Sequence, residues 1–212
     1  LHRGNLLLAS GHHTDAATLL ASALQTWRSS GRAPTEDFLQ GLTDLSRIQH
    51  ALGDTAAAES SLRETLATAE RIFDAPHDRI ALALLNLGDA LTAQWRLDEA
   101  EPVLIRSVAM MQAVYGDGHL RVANSLSALG RLKLRQRDLV AAARHLDAAM
   151  RWCERPDLHA TRSCIGILAN RAELALASGA LEQADASIEQ ALAMTQELFP
   201  QGHLRTASLL QL

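Results

Sequence analysis

Aromatic residues are scarce: three Trp, one Tyr and three Phe make up only 3% of the 212 residues. An interior with so few rings must be built from aliphatic side chains, and a hydrophobic content of 48% rich in Ala and Leu suits closely packed helices. Long apolar runs are missing as well. No stretch approaches the roughly 20 residues that a membrane-spanning helix needs, and no succession of basic, apolar and small residues marks a secretory leader. Cysteine is limited to Cys153 and Cys164, which form neither a CxxC pair nor a metal-ligand spacing with histidine. Both read as small buried hydrophobes in a reducing compartment, the cytoplasm. Lysine occurs once, at Lys133, and the other basic side chains are arginine, a composition that suggests a GC-rich bacterial source. A net charge of −4 lacks the concentrated positive field that displaces counterions from nucleic acid. Neither nucleic acid nor a membrane is an expected partner.

What is present is repetition. Ala16, Ala58, Ala100, Ala142 and Ala184 recur at an interval of 42 residues, and Leu42, Leu84, Leu126, Leu168 and Leu210 recur at the same interval. Two independent columns with one period are the signature of a solenoid. Length then counts repeating units rather than separate domains.

One unit is easiest to read between 78 and 119. Ile80, Leu84, Leu87 and Leu91 make one apolar stripe over about Asp78 to Gln94, a first helix here called A. After a turn at Trp95 and Arg96, Leu97, Ala100, Leu104, Val108 and Met111 make a second stripe to about Tyr115, helix B. Gly116 to His119 then ends helix B and begins the next unit. The A-to-B turn carries Gly11, Gly53, Trp95, Arg137 and Gly179, so the position is expected to be permissive. Gly4, Gly88, Gly130 and Ala172 on the A helices, like the Ala column on the B helices, mark places where two helix backbones approach closely. Each hairpin alone leaves an apolar face uncovered, so neighbours must stack.

At this point Leu84, Leu87, Gly88, Leu91, Ala100 and Leu104 resemble the tetratricopeptide pattern. The runs Leu85-Asn86-Leu87-Gly88, Asp98-Glu99-Ala100-Glu101 and Gly116-Asp117-Gly118-His119, with the 42-residue unit, look like the kinesin-light-chain type of that repeat. Arg171 departs from the pattern, standing where the other units have the Leu of the Leu-Gly pair. The resemblance implies an all-α fold, a right-handed αα-superhelix of antiparallel helix hairpins. The expected organisation is one array over 1–212, with a partial unit at 1–31, units at about 36–73, 78–115, 120–157 and 162–199, and a partial unit at 203–212. Such an array reads as a fragment of a longer protein. Its open ends, with Leu209, Leu210 and Leu212, invite self-association.

The resemblance also implies a concave groove lined by A helices, holding a protein or peptide. Groove positions on this reading include Thr43, Asn86, Asn124, Ser127, Arg131, Arg135 and Asn170. Asn86 and Asn170 carry most interest, because an amide both donates and accepts and so can hold an extended peptide backbone. The alternative is that these amides bond to the adjacent repeat. Arg47, Asp89, Arg131 and Glu173 alternate in sign and read as a structural ladder pairing across the stack. Arg121, Arg131, Lys133, Arg135 and Arg137 make one unit locally basic, which reads as a solvated helix face.

His77, His119 and His203 stand at A-helix entrances, where capping or packing explains them better than metal binding. Phe73, Tyr115 and Phe199, near the ends of B helices, read as core plugs. No nucleophile beside a base, phosphate loop or carboxylate dyad is evident. The expected function is therefore a non-enzymatic scaffold for protein or peptide partners, without cofactor or metal. The alternative is a sensor array that binds a signalling peptide or metabolite and controls an attached kinase or transcription-regulator domain.

Overall fold

The computed structural model describes residues 13–155 and 161–199, and every helix or strand among them is an α-helix. The chain divides into two compact units between Arg96 and Leu97. The first contains α1 (His13–Ser29), α2 (Glu36–Ala51), α3 (Thr55–Ile72) and α4 (Asp78–Ala93). The second contains α5 (Leu97–Tyr115), α6 (Leu120–Arg135), α7 (Leu139–Cys153), α8 (Arg162–Ala177) and α9 (Leu181–Leu198). Within each unit consecutive helices pack as antiparallel hairpins, the all-α solenoid that the period predicts. In repeat terms α2, α4, α6 and α8 are A helices, and α1, α3, α5, α7 and α9 are B helices.

Helix entrances repeat as faithfully as the core. Thr35, His77, His119 and Thr161 occupy one column, and each side chain accepts a hydrogen bond from a backbone N–H in the first turn of its A helix. An N-cap of this kind satisfies a donor that the helix itself cannot. Asp54 and Asp138 do the same for α3 and α7, accepting from the N–H of Ala57 and Ala141 at 3.0 Å. The expectation that the two histidines cap is met.

The A-to-B turn is more constrained than its sequence suggests. Gly53, Trp95, Arg137 and Gly179 all have positive φ, between 61° and 80°. The next residue's N–H reaches back to the carbonyl five residues earlier, as in Asp54 to Gln49, Arg96 to Leu91, Asp138 to Lys133 and Ala180 to Ala175. This is a Schellman cap in every described repeat. The position is therefore not permissive: Trp95 and Arg137 hold a left-handed conformation that costs an L-residue energy. Gly11 lies outside the described residues.

The stacked core follows the two columns. Ala16, Ala58, Ala100, Ala142 and Ala184 are all buried, as are Leu20, Leu62, Leu104 and Leu146 one turn further along their B helices. In the first unit Leu20 and Leu24 of α1 pack with Phe38, Leu42, Leu45 and Ile48 of α2. In the second, Met150 of α7 joins Ile165, Ile167 and Leu168 of α8 and Ala191 of α9. Gly130 shows why a side chain is excluded there. A Cβ on it would lie 2.7 Å from Leu146 Cγ and 3.5 Å from the carbonyl oxygen of Ala142. Gly4 lies outside the described residues, as do His203, Leu209, Leu210 and Leu212.

Two expectations about the B-to-A junctions are corrected. Phe73 and Tyr115 are not core plugs; each ring lies flat on the capping histidine, Phe73 on His77 at 4.0 Å and Tyr115 on His119 at 4.1 Å. The Phe73 ring is half-buried and the Tyr115 ring exposed, so neither is sealed in the core. Phe199 is half-buried beneath the guanidinium of Arg162, at 5.1 Å. Nor are Cys153 and Cys164 separate thiols. They form a disulfide with Cα atoms 5.6 Å apart, tying the end of α7 to the start of α8. One repeat earlier the same two positions are Met111 and Val122, both buried. At this junction the end of α7 lies against the start of α8, so two residues eleven apart in sequence meet.

Candidate partner-binding surface

In the second unit, Asn124, Ser127, Arg131 and Arg135 follow one another along α6 at helical spacing and make a single stripe. Asn124 is half-buried, Ser127 is buried, Arg131 is half-buried and Arg135 is exposed. From α8, the next A helix, Asn170 Nδ2 donates to Ser127 Oγ at 2.9 Å. The fold thus joins two residues that the sequence nominated, and Asn170 realises the alternative in which an amide bonds to the adjacent repeat. The Asn124 amide makes no side-chain hydrogen bond among the described residues, so its donor and acceptor are both open to a ligand. Arg131 and Arg135 are each engaged in an interaction already.

In the first unit, Thr43 on α2 is half-buried and its hydroxyl donates to the Leu39 carbonyl at 3.0 Å, one turn back on its own helix. Beside it Asp44 is buried to 4% exposure and accepts from Gln40 at 3.2 Å and Arg47 at 2.8 Å. Arg47 therefore pairs on its own helix rather than across the stack as the ladder reading expects. The separation of three residues along one helix is simply shorter than the step to the next repeat. On α4, Asn86 is half-buried and, like Asn124, has no side-chain hydrogen bond among the described residues.

The locally basic face is smaller than its charges suggest. Lys133 Nζ lies 2.6 Å from Glu101 Oε1 and 2.9 Å from Gln136 Oε1, and Gln136 Nε2 donates to Glu101 Oε2 at 2.8 Å. These hydrogen bonds, from Lys133 first and Gln136 second, hold the Glu101 carboxyl below the usual carboxylate range. Arg121 lies over the Tyr115 ring at 5.7 Å. His145 is half-buried near the same cluster; burial, then the charges of Arg144 and Lys133, push its pKa down.

A matching cluster occurs in the first unit. Glu59 accepts from Arg63 on its own helix and from Arg96, and also bonds Gln94. Burial there pushes the carboxyl up, but the hydrogen bonds from Arg96, Arg63 and Gln94 together outweigh it and leave the pKa lowered. Both latches escaped the sequence reading, although Glu59 and Glu101, like Gln94 and Gln136, recur at the repeat interval. Among the described residues no group of three or more His, Cys, Asp or Glu could hold a metal ion, and no helix is long and apolar enough to cross a membrane. The surface offers amides, hydroxyls and paired charges for hydrogen bonding.

Residues 79–155 match the model of the tetratricopeptide repeat. No curated protein matches at a significant level. Among solved structures, BtubC (BKLC) from P. vanneervenii is 19% identical with a TM-score of 0.73, the match covering 94% of this chain and 79% of that one. A putative kinesin light chain from Podosopora anserina, with nearly identical TPR-like repeats, is 18% identical with a TM-score of 0.72 over 93% of both chains. A thermophilic TPR protein of Thermus thermophilus is 21% identical with a TM-score of 0.62, covering 100% of this chain and 97% of that one. At these identities the likeness is one of fold. The repeat-model match is confined to residues 79–155, and with the hairpin geometry these likenesses give the chain a tetratricopeptide-like repeat fold.

Proposed function

We infer that the chain is a protein-interaction scaffold that holds an extended peptide segment against its A helices. The observation that carries this reading is Asn124 on α6, half-buried and with no side-chain hydrogen bond among the described residues; Asn86 on α4 is in the same state within its own unit. An amide not engaged by its neighbours can both donate and accept, and a peptide backbone offers the complementary donor and acceptor without regard to its sequence. Asn170 and Ser127 serve as the spacer between successive A helices rather than as ligand contacts. The 42-residue interval, with the fold shared with a putative kinesin light chain, supports assigning the units to that subtype.

Peptides enriched from a random displayed library provide the test. Their affinity, measured by fluorescence anisotropy, is expected to fall about tenfold on Asn124→Ala or Asn86→Ala, equivalent to about 1.4 kcal/mol for a lost backbone contact. Unchanged affinity in both variants rejects the assignment.

A further inference from the structure

Four described junctions between a B helix and the next A helix draw on one pair of columns. Its occupants are Trp27 and Phe38, Ala69 and Ile80, Met111 and Val122, then Cys153 and Cys164, each pair eleven residues apart. Where the pair is apolar and fully buried, at Ala69 with Ile80 and Met111 with Val122, the ring stacks Phe73 on His77 and Tyr115 on His119 close the same junction. At the other two the sequence has Gly31 with Thr35 and Asp157 with Thr161 in the positions of ring and histidine. There the column pair itself supplies the link. Trp27 and Phe38 pack with ring centroids 6.0 Å apart, and Cys153 and Cys164 are covalently bonded.

Of the four pairs only the last can be opened by a chemical reaction. Cys153 is half-buried whereas Cys164 is 2% exposed, so a thiol reaches the bond from the α7 side. A thiolate of a dithiol reductant attacks Cys153 Sγ, and the electron pair of the S–S bond leaves on Cys164 Sγ, which takes a proton. The reductant's second thiolate then displaces Cys153 from the mixed disulfide and departs as a cyclic disulfide, and Cys153 takes the second proton. Two electrons have passed to the protein, and the junction has lost its link.

The entrance of α8 is tied to the candidate peptide surface by the helix itself. Asn170 lies about 9 Å along the axis from Cys164, and its amide holds Ser127 on α6, in the stripe that carries Asn124. With the disulfide open, α8 keeps that bond, a longer contact of 3.8 Å between Arg171 and Asp147, and the apolar cluster of Met150, Ile165, Leu168 and Ala191. These restrain the hairpin without fixing its entrance. We propose that Cys153–Cys164 is a redox lock on the α8–α9 hairpin: oxidised, it holds Asn170 on Ser127 and keeps the α6 stripe in its binding shape, and a dithiol reductant releases it. The effect on the stripe rests on the peptide-binding reading above, whereas the lock does not.

Amide exchange of the full chain, oxidised and after dithiothreitol, reads the lock, and no other cysteine is present to confuse it. Reduction should speed exchange about tenfold from the end of α7 through α8 and α9, leave α1 and α2 unchanged, and reverse on reoxidation. A labelled peptide selected from a displayed library on the oxidised chain reads the stripe by fluorescence anisotropy. Its affinity should fall roughly fivefold on reduction, because a loosened surface must be ordered again to bind. Combining Cys153→Met with Cys164→Val installs the pair of the α5–α6 junction and should make both readouts indifferent to dithiothreitol. The wild-type comparison decides even where that variant misfolds. Unchanged exchange in α8 and α9 on reduction, an equal rise in α1 and α2, or a rise that reoxidation does not reverse overturns the lock. Faster exchange in α8 with unaltered peptide affinity overturns its link to the stripe. Should the oxidised chain bind no peptide, the peptide reading fails, and exchange alone decides the lock.

Discussion

The two kinds of turn in this molecule hold their shape by different means. A-to-B turns vary in sequence, from Gly53 and Gly179 to Trp95 and Arg137, yet all adopt the same left-handed residue and the same back-bonding to the A helix. B-to-A junctions vary in chemistry: an aromatic ring on a capping histidine at Phe73–His77 and Tyr115–His119, and a disulfide at Cys153–Cys164. A hairpin turn is thus specified by backbone hydrogen bonds, which tolerate a strained residue. A junction between units is specified by side chains, which can be exchanged as long as they fix the next helix's entrance.

Breaking a junction should therefore cost more than improving a turn. Reduction of Cys153–Cys164 releases a short loop and is expected to lower stability by roughly 2–4 kcal/mol. Unfolding in a repeat array is local, so amide exchange should accelerate in α7 and α8 and stay unchanged in α1 and α2. Urea titration with and without dithiothreitol gives the magnitude. A midpoint indifferent to reductant would show that burial at this junction suffices, as it does for Met111 and Val122.

Much of the fold was legible because packing imposes a period on small and aliphatic residues. Ala16 to Ala184 and the glycine at 130 could be read directly, since close helix approach leaves no alternative there. The N-cap column was half legible: His77 and His119 stand out as rare residues, whereas Thr35 and Thr161 look like ordinary surface polar groups until their hydroxyls are seen to cap. The bond between Asn170 and Ser127 spans 43 residues, one more than the interval, so a search for columns passes over it. The disulfide was not legible, because a spacing of eleven means little until the junction folds the two helix ends together. The latches were visible as recurrences of Glu and Gln, but charged residues near helix ends read as solvated by default.

The turn comparison is sharpened by exchanging residues at its left-handed position. Arg137→Gly removes a conformational penalty and is expected to stabilise the chain by about 0.5–1 kcal/mol, the glycine's own entropy offsetting part of the gain. Gly179→Ala should destabilise by roughly 1–2 kcal/mol. Nothing lies within 4 Å of a Cβ at Gly179, so that loss would report backbone strain alone. Opposite shifts in thermal midpoint are the expected pattern; shifts of the same sign would mean that the turn is held by side-chain contacts instead.

The smallest effect expected is a pH dependence of the Glu101 latch. Glu101 and His145 both have lowered pKa values in the folded chain. For each group the unfolded state binds its proton at higher pH than the folded state, so the stabilisation is complete above the unfolded value and is lost as pH falls through the folded one. Acidification should therefore act in two stages, the first beginning near the ordinary histidine value of 6.5 and the second near the ordinary glutamate value of 4.5. Both groups are partly solvated, so each stage should amount to roughly 0.2–1 kcal/mol. Urea midpoints followed across this range should lose the upper stage in His145→Ala and the lower one in Glu101→Gln. A lower stage that survives Glu101→Gln would assign acid sensitivity to other carboxylates, with Glu59 and its Arg96 partner the next to test.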